Sequence, residues 1–185
     1  MQRFQNGTQY TTVGPDYYRS IIPFKGSWTL LEISSDTVYT FLSDFNTSPF
    51  LVRIPPVQSM NSKVFLLLNV LSDRYYFMET MNNEYDRNKG TGFHRTSFMY
   101  DKQENAFYKY TIYNGDYSTK KEILLNVFKP INHEIESWKG IESYQLVEDY
   151  KKGILKGKLK EIASKLDEED NPVIMLIKHK KVVNN

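Results

Sequence analysis

From Tyr17 to Tyr113 the chain alternates between short apolar runs of strand length and polar turns. The runs form two sets of four. The first covers 17–24, 28–33, 37–42 and 50–54, joined by Lys25-Gly26-Ser27, Ser34-Ser35-Asp36 and Asn46-Thr47-Ser48-Pro49. Gly, Asp and Asn supply tight-turn geometry or side-chain hydrogen bonds to the local backbone, so these links predict hairpins. Pro55-Pro56 then ends pairing, because neither residue offers an N–H to a ladder. The second set covers 63–71, 75–80, 93–100 and 106–113, with a polar stretch at 81–92 between its second and third runs. Its last run, Phe107-Tyr108-Lys109-Tyr110-Thr111-Ile112-Tyr113, is nearly all aromatic or β-branched, which predicts a strand covered on both faces. Four strands recurring about every 45 residues is the period of propeller blades.

After Lys120 the texture changes. Ile154, Leu155, Leu159, Ile162, Ala163 and Leu166 recur at helical spacing and predict one helix, starting near Lys156 because Gly157 weakens a helix interior. Asp167-Glu168-Glu169-Asp170-Asn171-Pro172 ends it, 173–178 reads as a strand, 141–147 as another, and 182–185 as a fraying end. The expected architecture is mainly β: propeller-like four-stranded antiparallel sheets, about two blades plus a remnant, with one C-terminal α-helix. It is one domain over 1–185, with a leading segment at 1–16, a first blade at 17–56, a second at 63–113, and an incomplete blade with the helix at 120–180.

Composition narrows the function classes. The 185 residues include 14 Tyr, 11 Phe and 2 Trp, which strengthens the strand reading. The net charge is +2, and the first 119 residues and the remainder are each close to balanced, so the basic footprint of a nucleic-acid binder is missing. With no cysteine, disulfides, thiolate nucleophiles and thiolate zinc sites are excluded. The chain holds no apolar run of the ~20 residues a membrane span needs, and its start has no apolar core of signal-peptide length.

Several segments taken in order resemble a known family. These are Ser35-Asp36-Thr37-Val38-Tyr39, then Pro49-Phe50-Leu51-Val52-Arg53-Ile54, then Met99-Tyr100-Asp101-Lys102. Leu159-Lys160-Glu161-Ile162-Ala163 and Asp167-Glu168-Glu169-Asp170-Asn171-Pro172-Val173-Ile174 complete the series. Over roughly 17–180 the chain resembles the C-terminal half of the uncharacterised six-bladed β-propeller proteins of gut Bacteroidetes. The resemblance implies an exported protein, periplasmic or at the cell surface, with no catalytic residues to carry over. Six such blades need about 270 residues, so one copy cannot close the ring. A fragment, a divergent half-propeller, a curled sheet under the helix, or self-association through exposed blade edges would each resolve this.

Candidate chemistry is sparse. His94, His133 and His179 sit in three separate segments without metal-ligand spacing, so no metal or other cofactor is expected. Nucleophile-elbow, phosphate-loop and dinucleotide signatures are absent. Asp36, Asp73, Glu79, Asp101 and Asp116 could supply the paired carboxylates of a carbohydrate-active hydrolase, although Asp36 and Asp101 stand where a turn would use them. The sharpest feature is the loop Arg87-Asn88-Lys89-Gly90-Thr91-Gly92-Phe93-His94-Arg95. Its cations Arg87, Lys89 and Arg95, with His94 and two glycines, could hold a carboxylate or sulfate, against the plainer reading of a solvated hairpin loop. Trp138, beside Lys139-Gly140, is the better candidate than Trp28 for an exposed stacking ring. The leading expectation is a non-catalytic binding or interaction module whose ligand is a glycan, a peptide or a protein, with the hydrolase as alternative.

Overall fold

The computed structural model describes residues 2–6, 9–13, 18–86, 88–130 and 136–178. It is mainly β. Strands β1 (Gln2–Asn6) and β2 (Gln9–Val13) form a hairpin within the segment that the sequence marked only as leading. Strands β3 (Ile21–Phe24), β4 (Ser27–Leu30), β5 (Thr37–Phe41) and β6 (Thr47–Val52) follow as a four-stranded antiparallel meander. Lys25 and Gly26 both have positive φ, as a two-residue hairpin requires, and they set the Phe24 to Ser27 register. Pro23 and Pro49 lie on β3 and β6, the two edges, where a missing N–H costs the ladder least.

The second meander pairs β7 (Val64–Leu71), β8 (Tyr75–Asn82), β11 (Arg95–Asp101) and β12 (Ala106–Lys109). Between β8 and β11 the expected loop contains a minimal hairpin, β9 (Tyr85–Asp86) with β10 (Thr91–Gly92). The run at 106–113 divides. Its tail, β13 (Ile112–Tyr113), leaves the sheet to pair with β14 (Glu122–Ile123). A third sheet then joins β15 (Lys129–Pro130), β16 (Glu136–Ile141) and β17 (Val173–Lys178).

Two helices, not one, connect β16 to β17: α1 (Ser143–Lys151) and α2 (Gly157–Ala163). The strand expected over 141–147 ends at Ile141, and the rest is helical. The reason is tertiary. Leu146 is fully buried against Leu155, Leu159 and Ala163, and the Ser143 hydroxyl donates to the Asn171 carbonyl at 2.6 Å, so packing outweighs the strand propensity of Tyr144 and Val147. Gly157 opens α2 with φ +57°, and a Cβ there would come within 2.4 Å of Asp116 Oδ1. The positive φ favours glycine at this position, which opens the helix and does not interrupt it.

The second sheet is covered on both faces. Leu68, Leu71 and Met78 pack on Ile22, Phe24, Leu31 and Val38 of the first sheet region. Val70 and Phe77 pack the other way, on Leu125 with Ile123 and Ile177. At the first interface Tyr76 meets Phe24 edge-on at 5.8 Å and Phe50 at 5.3 Å, while the Lys102 ammonium lies 4.8 Å from its ring centre. At this interface the aromatic residues serve packing between sheets.

Asp101 ends β11. It binds Arg74 through both oxygens, at 2.6 to 3.1 Å, and accepts the Gln103 and Glu104 backbone N–H groups of the following turn. The Arg74 guanidinium, reinforced by those N–H groups, holds the Asp101 carboxyl below the usual carboxylate range. A depressed native value contributes stability that is complete above the unfolded value of about 3.9. That contribution is lost as pH falls from there through the lower native value. Urea midpoints measured from pH 6 to pH 2 should fall less steeply in Arg74→Met than in the wild type; equal slopes would remove Asp101 as the source.

Candidate binding cleft

Of the loop residues singled out from sequence, the structure describes Lys89, His94 and Arg95. Arg87 lies outside the described residues, as do His133 and His179. Lys89 is exposed and 3.5 Å from Asp86, and the Asp86 carboxylate accepts the Asn88 and Lys89 N–H groups, holding its own turn. His94 is exposed, and its carbonyl accepts the Asn82 N–H at 3.0 Å. Gly90 has φ +63°, while Gly92 lies so close to the Glu84 and Tyr85 backbone that a Cβ would meet it at 2.5 to 2.6 Å. Arg95 turns to the sheet, where Nη1 donates to Glu79 Oε2 at 2.8 Å, and Glu79 is only 2% exposed.

Trp138 is not in a turn. It lies half-buried on β16 opposite Leu176, with the Lys129 ammonium 5.0 Å from its ring, while Trp28 is the more exposed tryptophan. Four of the five nominated carboxylates are engaged: Asp36 accepts the Val57 N–H, Asp73 meets Lys25 at 3.4 Å, and Asp101 and Glu79 are held by arginines. The Asp116 carbonyl accepts the Lys156 N–H at 2.8 Å, tying the turn before α2 to the segment after β13. Among the described residues no three His, Asp or Glu side chains converge as metal ligands would.

A cleft of about 420 Å³ lies between the β13–β14 hairpin, the short turn Leu125–Val127, the third sheet and α1. Its floor is apolar, made by Val127, Phe128, Ile141 and Met175, with Ile123 and Leu124 on one wall. Alternation along β16 and β17 places Lys139, Ile141 and Met175 on the cleft side and sends Trp138, Ile174 and Leu176 to the opposite face. The rim carries both signs of charge, with Lys121, Lys139 and Lys152 among Glu122, Glu148 and Asp149.

Two pairs fix this rim. Glu148 and Lys152, one helical turn apart on α1, meet at 2.7 Å, which lowers the glutamate and raises the lysine from their ordinary values. Tyr117 is buried and its hydroxyl donates to Asp149 Oδ2 at 2.8 Å. Burial first, and then that bond to a carboxylate, push the phenol well above its ordinary value, so it stays a donor at all physiological pH. Sequence reading missed Tyr117 and Asp149 because they lie 32 positions apart and no local pattern links them.

The chain matches no protein-family model and no curated protein. Its fold is similar to the crystal structure of a putative exported protein from Bacteroides fragilis, with a TM-score of 0.54 and 14% identity. The likeness covers 87% of this chain and 49% of that one, so the chain spans about half the length of the protein it matches. At this identity the likeness is one of fold. No helix among the described residues is long and apolar enough to cross a membrane.

Proposed function

We propose that the chain is a non-catalytic binding module of an exported protein, and that the cleft beside α1 takes a peptide segment. The observation that carries this reading is the cleft itself, an apolar floor inside a rim of both charges, which suits an apolar side chain flanked by polar backbone and charged residues. A glycan fits less well. Sugar rings stack on exposed aromatic faces, and the two rings lining the cleft, Tyr117 and Phe128, are 6% and 2% exposed. Four of the five carboxylates nominated for the hydrolase alternative are engaged in ion pairs and backbone contacts within the fold.

Panning a random dodecapeptide library and a glycan array against the protein tests the reading. Selected peptides should bind the wild type and bind Leu124→Asp/Met175→Lys at least tenfold more weakly, equivalent to about 1.4 kcal/mol. Glycan binding without peptide binding, or peptides indifferent to the double substitution, would refute it.

The export assignment draws support from the family resemblance and from the name of the structurally similar protein. The half-propeller reading draws support from two successive meanders, a third sheet, and a span of half the matched chain. Self-association is the corresponding reading for the open ends of the stack. The outward face of the first sheet exposes Ile21 and Val52, and that of the third exposes Ile174 and Leu176, so broad faces rather than edges offer the contact. Light scattering on the purified chain should give twice 21.8 kDa at micromolar concentration; a monomer throughout would exclude the pairing.

A further inference from the structure

A second, smaller cavity lies on the other side of Val127 from the cleft. It measures about 240 Å³ and is bounded by Leu67, Leu68 and Asn69 of β7, by Asn126 and Val127, and by Tyr18, Arg19 and Lys129. Its lining holds two cations and no acid. The Arg19 guanidinium donates from Nη2 to the Asn126 carbonyl at 3.0 Å, and among the described residues no carboxylate pairs with it. An arginine carries five N–H donors, so most of this fork is unspent. Burial pulls Arg19 below its ordinary value.

Asn69, 3% exposed at the irregularity of register in β7, turns its side-chain amide to the Tyr110 hydroxyl. Asn126 Oδ1 at the same wall is buried and makes no hydrogen bond among the described residues. Leaving such a group unsatisfied in the interior costs about 1–3 kcal/mol. The remaining surface, from Leu67, Leu68 and Val127, is apolar.

We infer that this cavity is a site for a small organic carboxylate, with its oxygens on Arg19 and a short apolar body against Leu67, Leu68 and Val127. A carboxylate matches the guanidinium fork in two parallel hydrogen bonds and supplies a counter-charge to the two cations of the lining. The volume, below that of pockets for drug-sized ligands, admits a short-chain acid or the terminal residue of a peptide. Inorganic anions of the same charge leave the apolar wall uncovered and should bind more weakly. This site is separate from the peptide cleft and does not depend on it.

Calorimetric titration with acetate, butyrate and hexanoate, with butyramide as the uncharged control, reads the site directly. Butyrate should saturate one site, acetate should bind at least fivefold more weakly, and butyramide should not bind. Arg19→Met should weaken butyrate at least tenfold and Arg19→Lys by less. Circular dichroism on each variant establishes that it is folded, and Arg19→Lys keeps the test valid should Arg19→Met unfold. A pentapeptide ending in Val as the free acid, compared with its amide, separates a chain terminus from a free acid as the natural source. No saturable heat up to 20 mM butyrate, or equal affinity in wild type and folded Arg19 variants, would overturn the inference. Peptide binding at the cleft would be untouched by either result, since none of these variants lies in its floor or rim.

Discussion

Replacing Arg95 by Met should destabilise the protein by about 3–5 kcal/mol, because it strands a carboxylate in the interior of the second sheet. Glu79 is 2% exposed, sits on the central strand β8, and has the Arg95 guanidinium at 2.8 Å, with the Ser97 hydroxyl at 3.5 Å. The pairing is diagonal: Ser97 lies directly across from Glu79, and Arg95 is two residues further along β11 on the same face. Removing both charges should cost far less than removing one. Glu79→Leu/Arg95→Met is expected to recover most of the loss, since apolar replacements of similar volume relieve the burial of two ions. Urea unfolding of the wild type, both single variants and the double variant forms the cycle. A loss below about 1 kcal/mol in Arg95→Met would mean that Glu79 is served by other partners, and would return Arg95 to consideration as a ligand-facing cation.

The second large effect concerns adjacent residues that face opposite ways. Phe77 points to the third sheet, meeting Tyr110 edge-on at 5.2 Å and sharing a cluster with Val70 and Leu125. Met78, 1% exposed, points to the first sheet among Ile22, Phe24 and Leu68. Truncation to Ala should cost about 3–5 kcal/mol at Phe77 and 2–5 at Met78, as transfer and cavity terms add. For a chain of this size that lowers the melting temperature by on the order of 10 °C. The two variants should also differ in where they loosen the molecule. Hydrogen exchange should accelerate most in β16 and β17 for Phe77→Ala, and most in β3 to β5 for Met78→Ala. Identical exchange profiles would show that the three sheets open as one unit and not interface by interface.

That contrast between neighbours also marks what the sequence reveals. The eight strands of the two meanders were legible because their cues are local: period-two alternation, Lys25-Gly26 in a hairpin turn, and Asp101 accepting from the two N–H groups after it. The prolines on β3 and β6 follow the same logic, since edge positions tolerate them. The helix α1 was misread for a reason of the same local kind. Ile141, Tyr144 and Val147 have strand propensity, yet Ser143, Leu146 and Val147 bury one face at helical spacing. The role of Arg95 had an available signal, an acidic residue inside Tyr75-Tyr76-Phe77-Met78-Glu79, since a carboxylate in so apolar a strand needs a buried cation.

The candidate sites had no such signal. The cleft draws Tyr117, Lys139, Asp149 and Met175 from four separate elements, and the smaller cavity sets Arg19 against an asparagine 107 positions away. The sequence by itself determined the strand-and-turn grammar, the class of fold and the position of the second helix, because alternation, turn chemistry and helical spacing act over a few residues. Tertiary structure alone decided which faces are covered, which charge Arg95 answers, and which carbonyl Arg19 meets. Those outcomes depend on side chains brought within a few ångströms by packing of whole sheets, and no short-range pattern encodes that distance.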